Sequence, residues 1–173
     1  GIPLYVEALI QALIDFGHLV PDRSGWSLSP SAATVLPPSV RDLIVRRLQR
    51  LGPPDRRVLD LIAIGGGAVP HAVLREASGL SDDALLIAVR GLRSAGLLVE
   101  EPAGWGVAYN FTHPLIRDVA CVELPEMARR RGHAAFASVL EEMRPKDLDR
   151  LAHHYRGAGF EANHDRAMEV LLA

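Results

Sequence analysis

One cysteine, Cys121, stands in the whole 173-residue chain. No internal disulfide can form, so a disulfide-stapled scaffold is excluded and the cytoplasm is the natural compartment. No apolar run approaches the roughly 18 residues needed to cross a bilayer, so no membrane partner is expected. The first residues lack the charged segment and cleavage pattern of a signal peptide. Positive charge is not in excess. With 19 Lys and Arg against 21 Asp and Glu, the basic balance of a dedicated nucleic-acid surface is missing. A phosphate-binding loop is also missing: no Lys-Ser/Thr pair follows Gly65-Gly66-Gly67, so that run reads as a turn. No serine lies in a glycine elbow with His and Asp partners. The acid pairs Asp82-Asp83 and Glu141-Glu142 fall at a helix start and on a solvated face, so no catalytic residue is assigned.

What is present is a globular profile, 49% hydrophobic and 23% charged, long enough for one ordinary domain or two small ones. Tyr5, Ala8, Leu9, Ala12, Leu13 and Phe16 recur at helical spacing after Pro3, up to Gly17. Leu19-Val20 and Trp26-Ser27-Leu28 read as a small hairpin. Ser29 to Ser39 is a Pro/Ser/Ala-rich loop with a boundary inside it. Ser39 caps a helix with the stripe Val40, Leu43, Ile44, Leu48 and Leu51; Gly52-Pro53-Pro54-Asp55 stops it and starts another. A short helix over Pro70 to Ala77 precedes a longer one, capped by Ser81 and carrying Leu85, Ala88, Val89 and Leu92. Leu97-Leu98-Val99 and Val107 to Phe111 are strands around a Pro102-Ala103-Gly104 turn. Helices followed by a two-stranded hairpin is the winged-helix order. Pro125 opens another helix. Leu151 to Arg156 and Arg166 to Leu172 then form a pair around Gly157-Ala158-Gly159, like the first unit of a stacked helical repeat. The expected fold is mainly α: a helical lid segment over 1–35, a winged helix-turn-helix domain with small β-hairpins over 36–123, and a linker with the first TPR-like helix pair over 124–173. Gly1-Ile2-Pro3 enters a helix at once and Ala173 falls inside a helical pattern, so the sequence reads as part of something larger.

The richest stretch is Tyr109-Asn110-Phe111-Thr112-His113-Pro114-Leu115-Ile116-Arg117. A strand ends, and Pro114 opens an amphipathic helix with Leu115, Val119 and Val122 on one face. Proline suits the first helical position because its missing N–H would be unpaired there anyway. A helix start offers unpaired N–H groups and a positive dipole end, a ready anion site. His113 stands one residue before it and can reach the same anion, which suggests a phosphate sensor. The plain alternative is a helix-capping or half-buried histidine.

Four segments in order, Gly1-Ile2-Pro3-Leu4-Tyr5-Val6-Glu7, Leu36-Pro37-Pro38-Ser39-Val40-Arg41-Asp42-Leu43-Ile44, Phe111-Thr112-His113-Pro114-Leu115-Ile116-Arg117 and Leu151-Ala152-His153-His154-Tyr155, give the chain a family likeness over nearly its whole length. It resembles the STAND class of signalling ATPases, nearest the large ATP-binding regulators of the LuxR type and their cyclase-fused relatives. The resemblance implies that Gly1 and Pro3 form the adenine edge of a helical lid and that His113 touches the ADP phosphates. Many relatives carry an acid directly after this histidine; here Pro114 follows. The Walker loop and acidic Walker strand would lie upstream of Gly1, so the chain alone should hydrolyse no ATP and bind no cofactor. ATP or ADP, with Mg, would be held in the parent protein. The implied partners are an upstream nucleotide-binding core and downstream repeats of the same chain. Self-assembly on activation is also implied, with DNA reached only through a separate output domain.

Two rivals stand beside this reading: an independent winged-helix DNA-binding regulator and a nucleotide-independent interaction module. The helix expected to read DNA begins Ser81-Asp82-Asp83-Ala84, and the wing begins Glu100-Glu101. Carboxylates there oppose phosphates. Arg46, Arg47, Arg50, Arg56 and Arg57 alternate with Asp42, Asp55 and Asp60, as on an ion-paired surface. Arg47 falls inside an apolar stripe and requires an ion pair or a route to solvent. His153 and His154 are adjacent and point about 100° apart on a helix. No second ligand pair has metal spacing, so no metal site is assigned.

Overall fold

The computed structural model describes residues 40–104, 106–143, 146–161 and 164–172, with 19–22, 25–29 and positions 6, 10, 13, 14 and 17. It is mainly helical with small antiparallel hairpins, as the periodicities predict. No helix among the described residues is long and apolar enough to cross a membrane. The chain divides into two compact units, 1–51 and 52–173. The sequence boundaries at 35/36 and 123/124 do not coincide with this division. The helix expected to open the winged-helix domain belongs to the first unit, and the helices after 123 belong with the winged helix.

In the first unit, β1 (Leu19–Asp22) and β2 (Gly25–Leu28) pair antiparallel, Leu19 opposite Leu28. Helix α1 (Val40–Gln49) buries Leu43, Ile44 and Leu48, the residues of its expected stripe. Arg47 is half-buried there and has a partner.

The second unit opens with α2 (Pro53–Ile64), started by two prolines in its first turn and held on its outer side by Arg56 Nε donating to Asp60 at 2.8 Å. Its buried face, Val58, Leu59, Leu61 and Ile62, is the central pillar of the unit. A two-residue strand β3 (Val69–Pro70) leads into α3 (His71–Ser78) and α4 (Asp82–Ser94). Strands β4 (Leu98–Ala103) and β5 (Gly106–Phe111) follow as a hairpin, Leu98 opposite Phe111 and Ala103 opposite Gly106. Gly104 takes a positive φ of 57° in the connecting turn, where a side chain would be strained. Pro102 lies on the outer strand, the position where a missing N–H costs no ladder bond. The sheet order is β3-β5-β4. Helix, short strand, two helices and a hairpin whose second strand pairs with the first strand is winged-helix topology, three-stranded rather than the two-stranded form the sequence suggests.

Helix α5 (Pro114–Glu123) packs on α2 and β5. Its buried face is Ile116, Val119 and Ala120, whereas Val122 is 64% exposed. The expected stripe of Leu115, Val119 and Val122 is therefore rotated. Helix α6 (Glu126–Met143) runs across α2 and α3 and joins α7 (Leu148–Ala158) and α8 (His164–Leu172). Ala137, Leu140, Leu151, Tyr155, Ala167 and Val170 form the core of this three-helix layer. Thus α6 supplies the cover that the last two helices lack as an isolated pair. Gly157, expected in a turn, lies inside α7.

Candidate functional site

His113 stands two residues beyond the end of β5 and caps α5. Its backbone is extended, its carbonyl accepts from the Ile116 N–H at 3.0 Å, and its Nδ1 accepts from the Leu115 N–H at 3.1 Å. Thr112 anchors the preceding residue, donating its hydroxyl to the Gly96 carbonyl at 2.9 Å. The imidazole is half-buried. A nitrogen that accepts an N–H carries no proton, so the neutral ring holds its proton on Nε2. His113 therefore stabilises the helix start with one nitrogen and offers a hydrogen-bond donor with the other. Gly1 and Pro3, the proposed adenine edge, lie outside the described residues.

The face expected to read DNA is α4. Ser81 Oγ accepts from the Ala84 N–H, and Asp82 and Asp83 occupy the first turn, favourable beside the positive helix end. Beyond them, Leu86 and Ile87 are 42% and 67% exposed. Arg93 is tied to Glu100 at 2.8 Å, and Glu101 accepts from Asn110 at 3.0 Å. The face carries acids at its start, apolar Leu86 and Ile87 and exposed Arg90, while Arg93 is already engaged by Glu100.

His71 was not singled out by the sequence, yet it links three elements. Its Nε2 lies 2.8 Å from Asp82 Oδ1 and its Nδ1 lies 2.9 Å from the Tyr109 hydroxyl. With the proton on Nε2, the ring donates to Asp82 and accepts from Tyr109, which satisfies all three groups. The Tyr109 side is 2% exposed, and burial pushes its phenol up. The hydrogen-bonded series Asp82–His71–Tyr109 therefore ties α4 to the sheet. His71→Ala should cost on the order of 1 kcal/mol, because it strands that hydroxyl. Adding Tyr109→Phe should recover part of the loss, measured by urea unfolding as a double-mutant cycle.

The second concentration of titratable groups is on α6 and α7. His133 Nδ1 lies 3.0 Å from His154 Nδ1, and both residues are buried. Exposed His153 sits edge-on to both rings, with centroids 5.4 Å from His133 and 5.0 Å from His154. Phe136 stacks on His154 at 4.9 Å. Gly157 makes room for this: a Cβ there would meet His133 Cγ and Cδ2 at 2.5 Å. Burial first, then the His153 charge, pushes His133 down to about 4. Burial and the neighbouring His133 push His154 down to about 3. The sequence assigns no metal because His153 and His154 point about 100° apart on their helix and no second ligand pair has metal spacing; the fold adds a third ring, His133, to the two, with one nitrogen of each within 4.8 Å of the others. His133 follows Gly132 on α6 and reads there as one more polar residue, so no local signal pointed to it.

No known protein family, characterised protein or solved structure matches the chain. What the sites can do therefore rests on geometry. Burial pushes the Cys121 thiol up, away from a reactive thiolate. A cleft of about 920 Å³ lies between α2, α3 and α6 around Leu61, Ile64, Ala77, Leu124 and Ala128, with Arg56, Arg57, Asp60 and Arg131 also lining it. Neither His113 nor the histidine cluster is among the described residues that line it.

Proposed function

We propose that the chain is the regulatory lid and winged-helix portion of a nucleotide-switched signalling ATPase of the STAND class, of the kind that controls transcription or a fused output domain. The observation that carries the reading is the double use of His113. Its Nδ1 and carbonyl are committed to the Leu115 and Ile116 N–H groups of the α5 start, so Nε2–H, held rigidly at the positive end of the helix dipole, is the donor left to meet an anion. In the ADP state, that donor and the Gly1–Pro3 segment hold the lid and winged helix against an upstream core that supplies the nucleotide and Mg. Exchange for ATP, biased by an inducer on downstream repeats, releases them for self-assembly. A contact difference of a few kcal/mol between nucleotide states suffices for such a shift.

The α4 surface supports an intramolecular role over DNA reading. Acids at its start and exposed Leu86 and Ile87 suit a protein partner better than a phosphate backbone. The same two residues favour a second reading, an interaction module that never meets a nucleotide. In the parent ATPase, His113→Ala should speed ADP release, measured with a fluorescent ADP analogue. The protein should show no sequence-selective DNA binding through this unit in an anisotropy titration. Unchanged ADP release leaves the interaction module as the better account, and selective DNA binding would revive the DNA-reading one.

A further inference from the structure

One ring nitrogen each of His133, His153 and His154 lies within 4.8 Å of the other two, and the His133–His154 pair of Nδ1 atoms is at 3.0 Å. A tetrahedral zinc ion with Zn–N bonds of about 2.0–2.1 Å places its ligand nitrogens roughly 3.3–3.4 Å apart. The buried pair is therefore already spaced within a few tenths of an ångström of a chelate edge. His153 must close by about 1.5 Å at most to join them, a shift its exposed side chain makes by changing rotamer. Two facing Nδ1 atoms also share one proton between them. For a metal ion to take both Nδ1 lone pairs, the ring that donates in the metal-free pair shifts its proton to Nε2, so that each ligand ring stays neutral and no proton is lost.

We propose that His133, His153 and His154 form a binding site for a divalent transition-metal ion of the zinc type, with the fourth position open to solvent. Three imidazoles and no thiolate or carboxylate suit Zn²⁺, and also Cu²⁺ or Ni²⁺. Phe136 fixes the plane of the His154 ring, and the backbone of Gly157 lies against the His133 ring, so two ligands are held before the ion arrives. The charged surroundings set the fourth ligand. Arg129 on α6 and Arg150 on α7 act on the cluster as like charges to an ion, with Glu126 opposing them. His133 also opens on a cleft of about 360 Å³ shared with Glu126, Arg129, Arg130 and Arg156. An anion such as hydroxide or chloride in the fourth position offsets this positive surround.

The test is a titration of the chelator-stripped, intact chain with CoCl₂ and then ZnCl₂. Expected are one equivalent of Co²⁺ with the visible absorption of a tetrahedral site, its displacement by Zn²⁺, and a thermal midpoint that rises with free Zn²⁺. His153→Ala removes an exposed ligand, so the metal-free fold should be unchanged while Zn²⁺ affinity falls at least about tenfold, since even outer-shell changes cost that much. His154→Gln should weaken binding similarly. No stoichiometric binding at micromolar metal overturns the proposal. So does binding with the same affinity in His153→Ala, which would place the ion elsewhere on the chain.

Discussion

Between pH 7 and pH 4, the metal-free chain is expected to lose on the order of 3–5 kcal/mol of folding stability through His133 and His154. Unfolding returns both rings to an ordinary value near 6.5, while the folded state holds them at about 4 and about 3. Below pH 6.5 the unfolded chain therefore binds protons that the folded chain refuses. The stability these rings leave intact is fully present above about pH 6.5, and it is lost as pH falls through 4. One such ring would account for about 3 kcal/mol over this interval. Two neighbouring rings add to that, and solvent entering beside exposed His153 reduces it. Urea unfolding at stepped pH with chelator present measures the slope. His154→Gln should flatten it. In NMR, neither ring should titrate between pH 7 and 5. A slope unchanged in that variant, or a ring titrating near 6.5, would show the pair to be open to water.

Gly157→Ala should destabilise the chain by on the order of 2 kcal/mol, although alanine is the better helix former by about 1 kcal/mol. Glycine stands inside α7 because the His133 ring occupies the space a methyl group needs. The added Cβ would meet three ring atoms, Cγ, Cδ2 and Nδ1, at 2.5 to 2.6 Å. The ring cannot swing aside without breaking its 3.0 Å contact with His154, so α6 and α7 must separate. Gly132→Ala is the control. There the new Cβ meets the Ile64 Cδ1 methyl, the far end of a side chain that changes rotamer readily. Its cost should be clearly smaller. Equal losses in the two variants would mean that helix separation, and not the imidazole, sets the penalty.

Both expectations depend on contacts between helices, and this is where sequence reading stopped. Element starts were legible because their chemistry is local: Pro53 in the first turn of α2, Ser81 before α4 and Pro114 at the head of α5 all stand where capping rules put them. The buried stripes of α1 and α4 followed from a 3.6-residue period. Strand β3 did not, since two residues carry no period; only its pairing with Tyr109 and Ala108 makes it a strand. The buried face of α5 was misjudged because α2 and β5 choose it, and hydrophobicity alone let Val122 compete with Ile116. His113 was legible as a residue beside a helix start, and its Nδ1 bond to Leu115 is the capping geometry weighed as the plain alternative. His71 and His133 were silent. Each meets its partner across the fold, Tyr109 at 38 residues and His154 at 21, and no spacing rule covers such distances. Gly157 was read as punctuation because nothing nearby in sequence shows the ring that requires it.

The measurement closest to the central claim is ADP release from the proposed parent ATPase carrying His113→Asn. Asparagine caps helices as well as any residue, so the α5 start and folding stability should be kept, while its shorter side chain cannot bring its amide donor to the place that imidazole Nε2 occupies. The account predicts ADP release faster by about tenfold, the loss of one hydrogen bond to a charged group, at unchanged thermal stability. Release at the wild-type rate in that variant would mean His113 is a helix cap and nothing more.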